Sequence, residues 1–248
     1  MPDSASDLNR RRPGGAFVTT RWSAIRAADL NSSVESQEAL SHLCRTYWYP
    51  LYAYVRRQGY SSHDAEDLTQ TFFANLLEKK ALRGVEPAKG KFRSFLLASL
   101  KNFLANDWDR KSRAKRGGNC EIISFDDESA EARYLREPSH DLTPETLFER
   151  SWSLTVIETV MLQLRREYIA AGKADLFESL QEHLLGGANA SYANAAATLG
   201  MKEGAVRMAT LRMRRHFGYL LRKAIADTVT DPGELDEELR HLMASIGG

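Results

Sequence analysis

Five basic side chains lie close together near the carboxyl end of the chain, at a spacing that suits contacts with a polyanion. They are Lys202, Arg207, Arg212, Arg214 and Arg215. Lysine and arginine bind phosphate oxygens, and arginine can also donate two hydrogen bonds to the edge of one base. The chemistry that these residues favour is therefore the binding of nucleic acid.

A helix-turn-helix over residues 191–207 would position these cations. The alanine-rich residues 192–199 predict a short helix on which a second helix can pack closely, and Gly200 suits the tight turn between them. Glu203 falls in the first turn of the second helix, where a carboxylate complements the helix dipole. We expect Val206 and Leu211 to face inward, Arg207 to read a base, and Arg214 and Arg215 to bind phosphates. An ordinary helical hairpin with a basic exposed face is the alternative.

Charge is segregated along the chain, although the net charge is only +1. Residues 91–116 carry eight Lys/Arg and two acids, and residues 200–223 carry seven Lys/Arg and one acid. Residues 121–150 carry nine acids and three arginines, and residues 227–248 carry six acids and one arginine. This alternation is typical of two separate surfaces that face a polyanion, whereas solvated helix faces usually mix the two signs.

Helical periodicity dominates the remaining sequence and predicts an all-α fold with two small helical domains. Apolar residues recur at spacings of three and four over residues 37–58, 63–77 and 92–116. Pro50 is expected to kink or split the first of these helices, and Gly59 to end it. Further helices are expected over residues 146–171, 174–185, 192–228 (two helices around Gly200) and 232–246. No segment alternates in the manner of a strand.

Composition suggests five segments along the 248 residues. We expect a disordered N-terminus (1–20), a first helical domain (21–118), an acidic linker (119–144), a helix-turn-helix domain (145–229) and an acidic tail helix (230–248). Apolar residues in the tail recur at helical spacing, so it can pack back on the second domain. Such a tail either lowers non-specific affinity for DNA or simply caps the core. The apolar residues are Leu235, Leu239, Leu242, Met243 and Ile246.

The sequence argues against an enzyme and against a membrane protein. The six histidines lack metal-ligand spacing, and no phosphate-binding glycine loop or nucleophile motif is present. We therefore predict no catalytic residue, no metal and no cofactor. Only Cys44 and Cys120 are cysteines, and no apolar run reaches the roughly 20 residues that span a bilayer, so a cytoplasmic location is expected.

Three segments, taken in order, resemble the extracytoplasmic-function sigma factors, subunits that direct bacterial RNA polymerase to promoters, over nearly the whole chain. Residues 63–73 look like the polymerase-binding helix of that family. Residues 92–110 look like the helix that opens and reads the promoter −10 element. Residues 199–215 are similar to the helix that recognises the −35 element. A stand-alone helix-turn-helix regulator, which would dimerise and bind duplex DNA without polymerase, is the alternative.

The resemblance implies a role for each matching residue. Polymerase would be bound by Asp64, Asp67, Gln70, Thr71 and Phe73. The −10 element would be bound by Lys91, Arg93, Asn102, Trp108, Arg110, Lys111, Arg113 and Arg116. The −35 element would be bound by Lys202, Glu203, Arg207, Arg212, Arg214 and Arg215. Residues 81–90 would capture a flipped base, and the aromatic Phe92 and Trp108 are either stacking platforms or core residues.

The chain departs from the family pattern at two places. The family usually has Glu where Thr71 stands, which removes one charge and leaves Thr69 and Thr71 as hydroxyls that a kinase could modify. The acids Asp64, Glu66 and Asp67 also suit the N-terminus of a helix without any partner. The helices over residues 146–185 enlarge the second domain, with no role indicated. The implied partners are core RNA polymerase and promoter DNA, with an anti-sigma factor or a kinase as further candidates, and the free protein is expected to be monomeric.

Overall fold

The structure is a computed structural model that describes residues 34–78, 91–113, 130–137, 142–184, 191–226, 228–229 and 232–247, with side chains omitted for 34–40, 42, 77–78, 108–113 and 232. These residues form helices and no strands, so the all-α prediction is confirmed. The helices are α1 (Val34–Arg57), α2 (Ser62–Glu78), α3 (Phe92–Arg113), α4 (Ala130–Leu135), α5 (Pro144–Ala170), α6 (Ala174–Leu184), α7 (Tyr192–Leu199), α8 (Glu203–Ala226) and α9 (Leu235–Gly247), with a 3₁₀ turn (Pro232–Glu234) before α9.

Local sequence explains several helix ends. The Thr143 hydroxyl accepts a hydrogen bond from the Thr146 N–H at 3.2 Å and caps α5, which begins with Pro144. Gly59 follows α1 with φ 93°, a conformation that favours glycine. The expected split of α1 at Pro50 is wrong, because the helix is continuous through that residue. Tyr47 and Leu51, on the two sides of Pro50, are both completely buried, so the helix is packed on the core across the proline.

One hydrophobic core extends through helices from both predicted domains. α1 lies along α5 in the most extensive contact between described helices, and α5 also contacts α8 and α9. Trp152 of α5 and Leu43 of α1 are completely buried in this core. In this conformation the two predicted domains therefore pack as one body, and their boundaries stay a prediction.

Part of the predicted acidic linker is a helix that packs on α1. Arg56 donates to both carboxylate oxygens of Glu131 in α4, at 2.8 and 2.7 Å, and the Tyr52 hydroxyl donates to Glu131 at 2.6 Å. The hydrogen bonds from Arg56 hold the pKa of Glu131 below its usual value. Arg133 places its guanidinium 4.0 Å from the centre of the Tyr49 ring. The described residues 130–137 are thus attached to the core, and the rest of the linker lies outside the described residues.

Candidate nucleic-acid and polymerase interfaces

The predicted polymerase-binding residues lie on α2, whose apolar stripe faces the core as predicted. Ala65, Leu68, Phe72 and Leu76 are buried, and this orientation turns Asp64 and Asp67 towards solvent. The Ser61 hydroxyl caps the helix by accepting from the Asp64 N–H at 3.1 Å. α2 therefore presents carboxylates on an accessible face.

The remaining predicted residues of α2 differ in exposure. Gln70 and Thr71 are half-buried at the edge of the exposed face. Phe73 is only 5% exposed, so it helps to fix α2 on the core and does not face solvent in this conformation. Thr69 is completely buried and its hydroxyl donates to the Ala65 carbonyl at 2.7 Å. Of the two threonines considered as kinase targets, only Thr71 is accessible.

The middle of α3 is accessible at Asn102. Asn102 is exposed, and the neighbouring Lys101 forms an ion pair with Glu145 at 2.7 Å. The described side chains of α3 end at Asp107. Residues 81–90, predicted to capture a base, lie outside the described residues. The predicted −10 contacts after Asp107 lie outside the described side chains. They are Trp108, Arg110, Lys111, Arg113 and Arg116.

The start of α3 is turned into the protein. Phe92 is 1% exposed, and its ring meets that of Tyr47 edge to face with 5.4 Å between centroids, so it is a core residue. Arg93 is 4% exposed, and its Nε donates to Glu149 of α5 at 2.6 Å. In this conformation neither side chain reaches solvent, and Arg93 cannot touch DNA.

A carboxylate of the tail helix α9 packs against the start of α3. Glu238 of α9 is completely buried and forms ion pairs with Arg93 and with Lys91, whose Nζ is 2.6 Å from Oε2. The guanidinium of Arg93 also lies 4.6 Å from the centre of the Trp152 ring. The two predicted −10 contacts at the start of α3 are therefore bound by internal partners.

The predicted helix-turn-helix segment consists of α7, a three-residue turn and α8. Ser191 caps α7, and Gly200 adopts φ 62°, as expected for the turn. The buried face of α8 contains Val206, Ala209 and Met213. Leu211 is 41% exposed, so the prediction that it faces inward is wrong. Positions three, four and seven residues after Val206 share its face of the helix, whereas position 211 does not.

The outer face of α8 carries exposed charges at its start. Lys202, Glu203, Arg207, Arg212 and Arg215 are all exposed. Arg207 donates to one carboxylate oxygen of Glu203 from Nη2 at 2.6 Å and from Nε at 3.1 Å, and this bonding raises the pKa of Arg207. The hydrogen bonds fix the direction of the guanidinium relative to the helix axis. The start of α8 therefore presents an oriented cation to solvent.

Two arginines of α8, Arg207 and Arg214, contact the neighbouring helices α7 and α6. The Arg207 guanidinium lies 4.9 Å from the centre of the Tyr192 ring, and the Tyr192 ring contacts that of His183 with 4.5 Å between centroids and an angle of 38° between the planes. Arg214 donates two hydrogen bonds to the His183 carbonyl, at 3.1 and 2.6 Å. Arg214 therefore joins α8 to α6, a contact that the sequence did not predict, and it remains an exposed residue.

Glu238 was also missed, although the sequence contains a signal for it. It lies three residues after Leu235 and four before Leu242, so it falls on the apolar stripe of α9. A charged residue on an apolar stripe indicates a buried ionic partner. The positions of Lys91 and Arg93 in a basic block instead suggested an exposed cationic face.

Comparison with known proteins identifies one segment of the chain, from α1 to α3. Residues 43–114, from within α1 to just beyond α3, match the family model Sigma-70 region 2, and this stretch covers less than half of the chain. No curated protein and no solved structure matches the chain. The chain thus carries the domain with which sigma factors bind core RNA polymerase and promoter DNA. This match supports a sigma factor in transcription initiation and confirms the prediction of a non-enzymatic protein.

Two further observations concern other classes of function. None of the described helices combines the length and the apolar character needed to cross a membrane. Within the described parts of the chain, no group of three or more potential ligands is placed to hold a metal ion.

Proposed function

We propose that this chain is a sigma factor of the extracytoplasmic-function type that directs core RNA polymerase to promoters with defined −35 and −10 elements. The match of residues 43–114 to Sigma-70 region 2 carries this proposal. Residues 21–118 form the polymerase- and −10-binding unit, and residues 145–229 form the −35-binding unit. Such a protein acts in the cytoplasm, where polymerase and DNA are, and it binds polymerase as a monomer.

The exposed face of α2 supports a polymerase contact there. Asp67 is exposed and its carboxylate lies 3.6 Å from Nε2 of the exposed His63, so it can exchange this partner for a cation of another protein. Opposite charges across an interface guide association and fix its register. Asp64 and Thr71 lie on the same side of α2, at helical spacing from Asp67.

The start of α8 supports a duplex contact. Helix-turn-helix proteins read bases with the first residues of the second helix, and here these residues are exposed and include Arg207. The pair with Glu203 is exposed and exchanges easily for another acceptor, so Arg207 can turn to a base edge. Arg212 and Arg215 on the same helix supply exposed cations for phosphates.

Gel filtration with bacterial core RNA polymerase tests the proposal. The wild-type chain should co-elute with core polymerase, and Asp67→Arg should weaken this binding by roughly ten- to hundredfold because it reverses a charge in the contact. Glu66→Arg is the matched control, since it makes the same change at an exposed position on the other flank of α2. Helical circular dichroism should be the same for all three proteins.

Two results would count against the proposal. Failure of the wild-type chain to co-elute, together with binding to duplex DNA as a dimer, would identify a stand-alone regulator. Wild-type affinity for core polymerase in the Asp67→Arg variant would remove the exposed face of α2 as the docking site.

A further inference from the structure

The tail helix α9 contains a buried carboxylate in a strongly acidic segment. Glu238 is completely buried, whereas its neighbours Asp236 and Glu237 are exposed. An isolated carboxylate is costly to bury, so Glu238 stays in place only because cations are paired with it. Those cations are Lys91 and Arg93, from the start of α3.

A second set of contacts fastens α9 along α5. Leu242 is completely buried, and the Ser245 hydroxyl donates to the Ser153 hydroxyl at 2.7 Å. Arg150 donates to the Ile246 carbonyl at 2.9 Å, near the end of α9. α9 is thus held along its length by α5 and at Glu238 by α3.

Glu149 closes the network between the three helices. Its Oε2 accepts from Arg93 of α3 at 2.6 Å and lies 3.0 Å from Nε2 of His241 in α9. Every charged group in the network thus has a partner on another helix. The ionic contacts join α3, α5 and α9 into one closed unit.

The closed arrangement is too small to contact both promoter elements at once. The −35 and −10 elements are centred about 25 base pairs apart, or about 85 Å at ~3.4 Å per base pair. The described helices share one core, and a compact body of about 170 residues has a radius of gyration of about 16 Å, hence a diameter of about 40 Å. Because α1 and α5 share one core, α3 and α8 must separate before both elements can be bound.

We propose that α9 is an intramolecular latch, in which the Glu238 carboxylate fills an anion site of Lys91 and Arg93 that DNA phosphate occupies after the chain opens. Carboxylates and phosphates accept the same charge-assisted hydrogen bonds from lysine and arginine, so the two anions compete for this site. The inference rests on the proposed function and adds regulation to its −10 surface. The free chain is held closed, and promoter binding requires release of α9.

A reversible disulfide tests the latch. Ser153→Cys with Ser245→Cys should form a disulfide under mild oxidation, because the two hydroxyl oxygens are 2.7 Å apart. The background carries Cys44→Ala and Cys120→Ser. The probe is the promoter that the wild-type chain and core polymerase select from a random DNA library.

The oxidised chain should lose at least about tenfold in promoter affinity in the presence of core polymerase, because the fraction of open chains falls. Reduction with dithiothreitol should restore it. Equal affinity of the oxidised and reduced forms would overturn the latch while leaving the proposed function intact. Failure of the disulfide to form would also overturn it, since α9 would not lie on α5. Failure of the wild-type chain to select any promoter would overturn the proposed function and the latch together.

Glu238→Gln supplies an independent measurement. It removes the charge but keeps the shape, so we expect the radius of gyration of the free chain to rise in small-angle scattering and promoter affinity to increase about tenfold. Glu237→Gln is the matched control, because Glu237 is exposed on the same helix. A Glu238→Gln chain that keeps its helical circular dichroism, its compactness and its wild-type affinity would contradict the latch.

Discussion

The starts of α3 and α8 are both proposed to hold DNA, yet they keep their cations in opposite states. Arg93 of α3 is only 4% exposed, and its guanidinium is paired with Glu149 and Glu238. Arg207 of α8 is exposed and paired with a residue of its own helix. The first cation has to be released before it can bind DNA, whereas the second is already presented.

The difference has an energetic basis in burial. An exposed ion pair is worth little and exchanges easily for another partner, whereas breaking a buried pair leaves a charge without solvation. The α8 surface can therefore engage DNA in the closed chain, and the α3 surface can do so only after rearrangement. This predicts an order of binding in which the −35 surface makes contact first.

The largest expected effect comes from breaking the buried ion pair between Arg93 and Glu238. Arg93→Ala should lower the free energy of unfolding by about 3–5 kcal/mol, because Glu238 is left buried without its partner. Urea denaturation of the free chain measures this change. Lys101→Ala is the control, since the ion pair of Lys101 with Glu145 is about half exposed and should be worth at most about 1 kcal/mol. Similar losses of stability in the two variants would show that the Arg93–Glu238 pair is no stronger than a surface ion pair.

A smaller effect is expected for the exposed Arg207 of α8. Arg207→Ala should weaken binding to the preferred −35 sequence by about ten- to hundredfold and relax the preference at one or two positions. Selection from a library randomised at the −35 element measures both. Lys223→Ala, exposed further along the same helix, is the control. An unchanged selected motif would remove Arg207 as a base reader.

The Arg56–Glu131 pair has an intermediate degree of burial and should give an intermediate effect on stability. Its partners are 19% and 29% exposed, and Glu131→Gln should cost about 1–2 kcal/mol at neutral pH. The pKa of Glu131 is lowered from 4.5, so its stabilisation is present above that pH and is lost as the pH falls through the lower folded pKa. Unfolding free energies of the variant and the wild type should therefore converge at low pH. A difference that did not depend on pH would show that the charge is not responsible.

The smallest effect concerns the exposed face of α2. Thr71→Glu should raise affinity for core polymerase a few-fold, because it restores a carboxylate beside Asp67 in an exposed, screened setting. Thr69→Val, at a buried site on the same helix, should leave polymerase affinity unchanged. Competition binding against the wild-type chain measures both. A loss of affinity in Thr71→Glu would place Thr71 outside an acidic contact.

Local patterns in the sequence predicted some features of single helices correctly and others wrongly. The stripe of Ala65, Leu68 and Phe72 and the turn at Gly200 follow from spacing and backbone conformation, which are local properties. Leu211 was misplaced because it does not share a helix face with Val206, whereas Met213 does. Local pattern also could not show that Pro50 would be accommodated within a continuous helix.

The ion pairs of Arg93 with Glu149 and Glu238 could not be predicted, because they depend on three helices that are distant in sequence. Within α3 alone, Lys91 and Arg93 have the composition of a solvent-facing basic surface. The burial of Arg93 follows from the packing of α5 and α9, which cannot be predicted from the periodicity of α3. Glu238 on the apolar stripe of α9 indicated a buried partner without indicating which one.

The central claim is most directly tested by selecting promoters with the chain and core RNA polymerase together. Random DNA that is transcribed by the mixture should yield two conserved elements at a fixed spacing upstream of each start site. Core polymerase alone should yield neither element, and addition of Asp67→Arg should reduce the yield of transcripts without changing their start sites. Transcripts that start at the same places with and without the chain would contradict the assignment as a sigma factor.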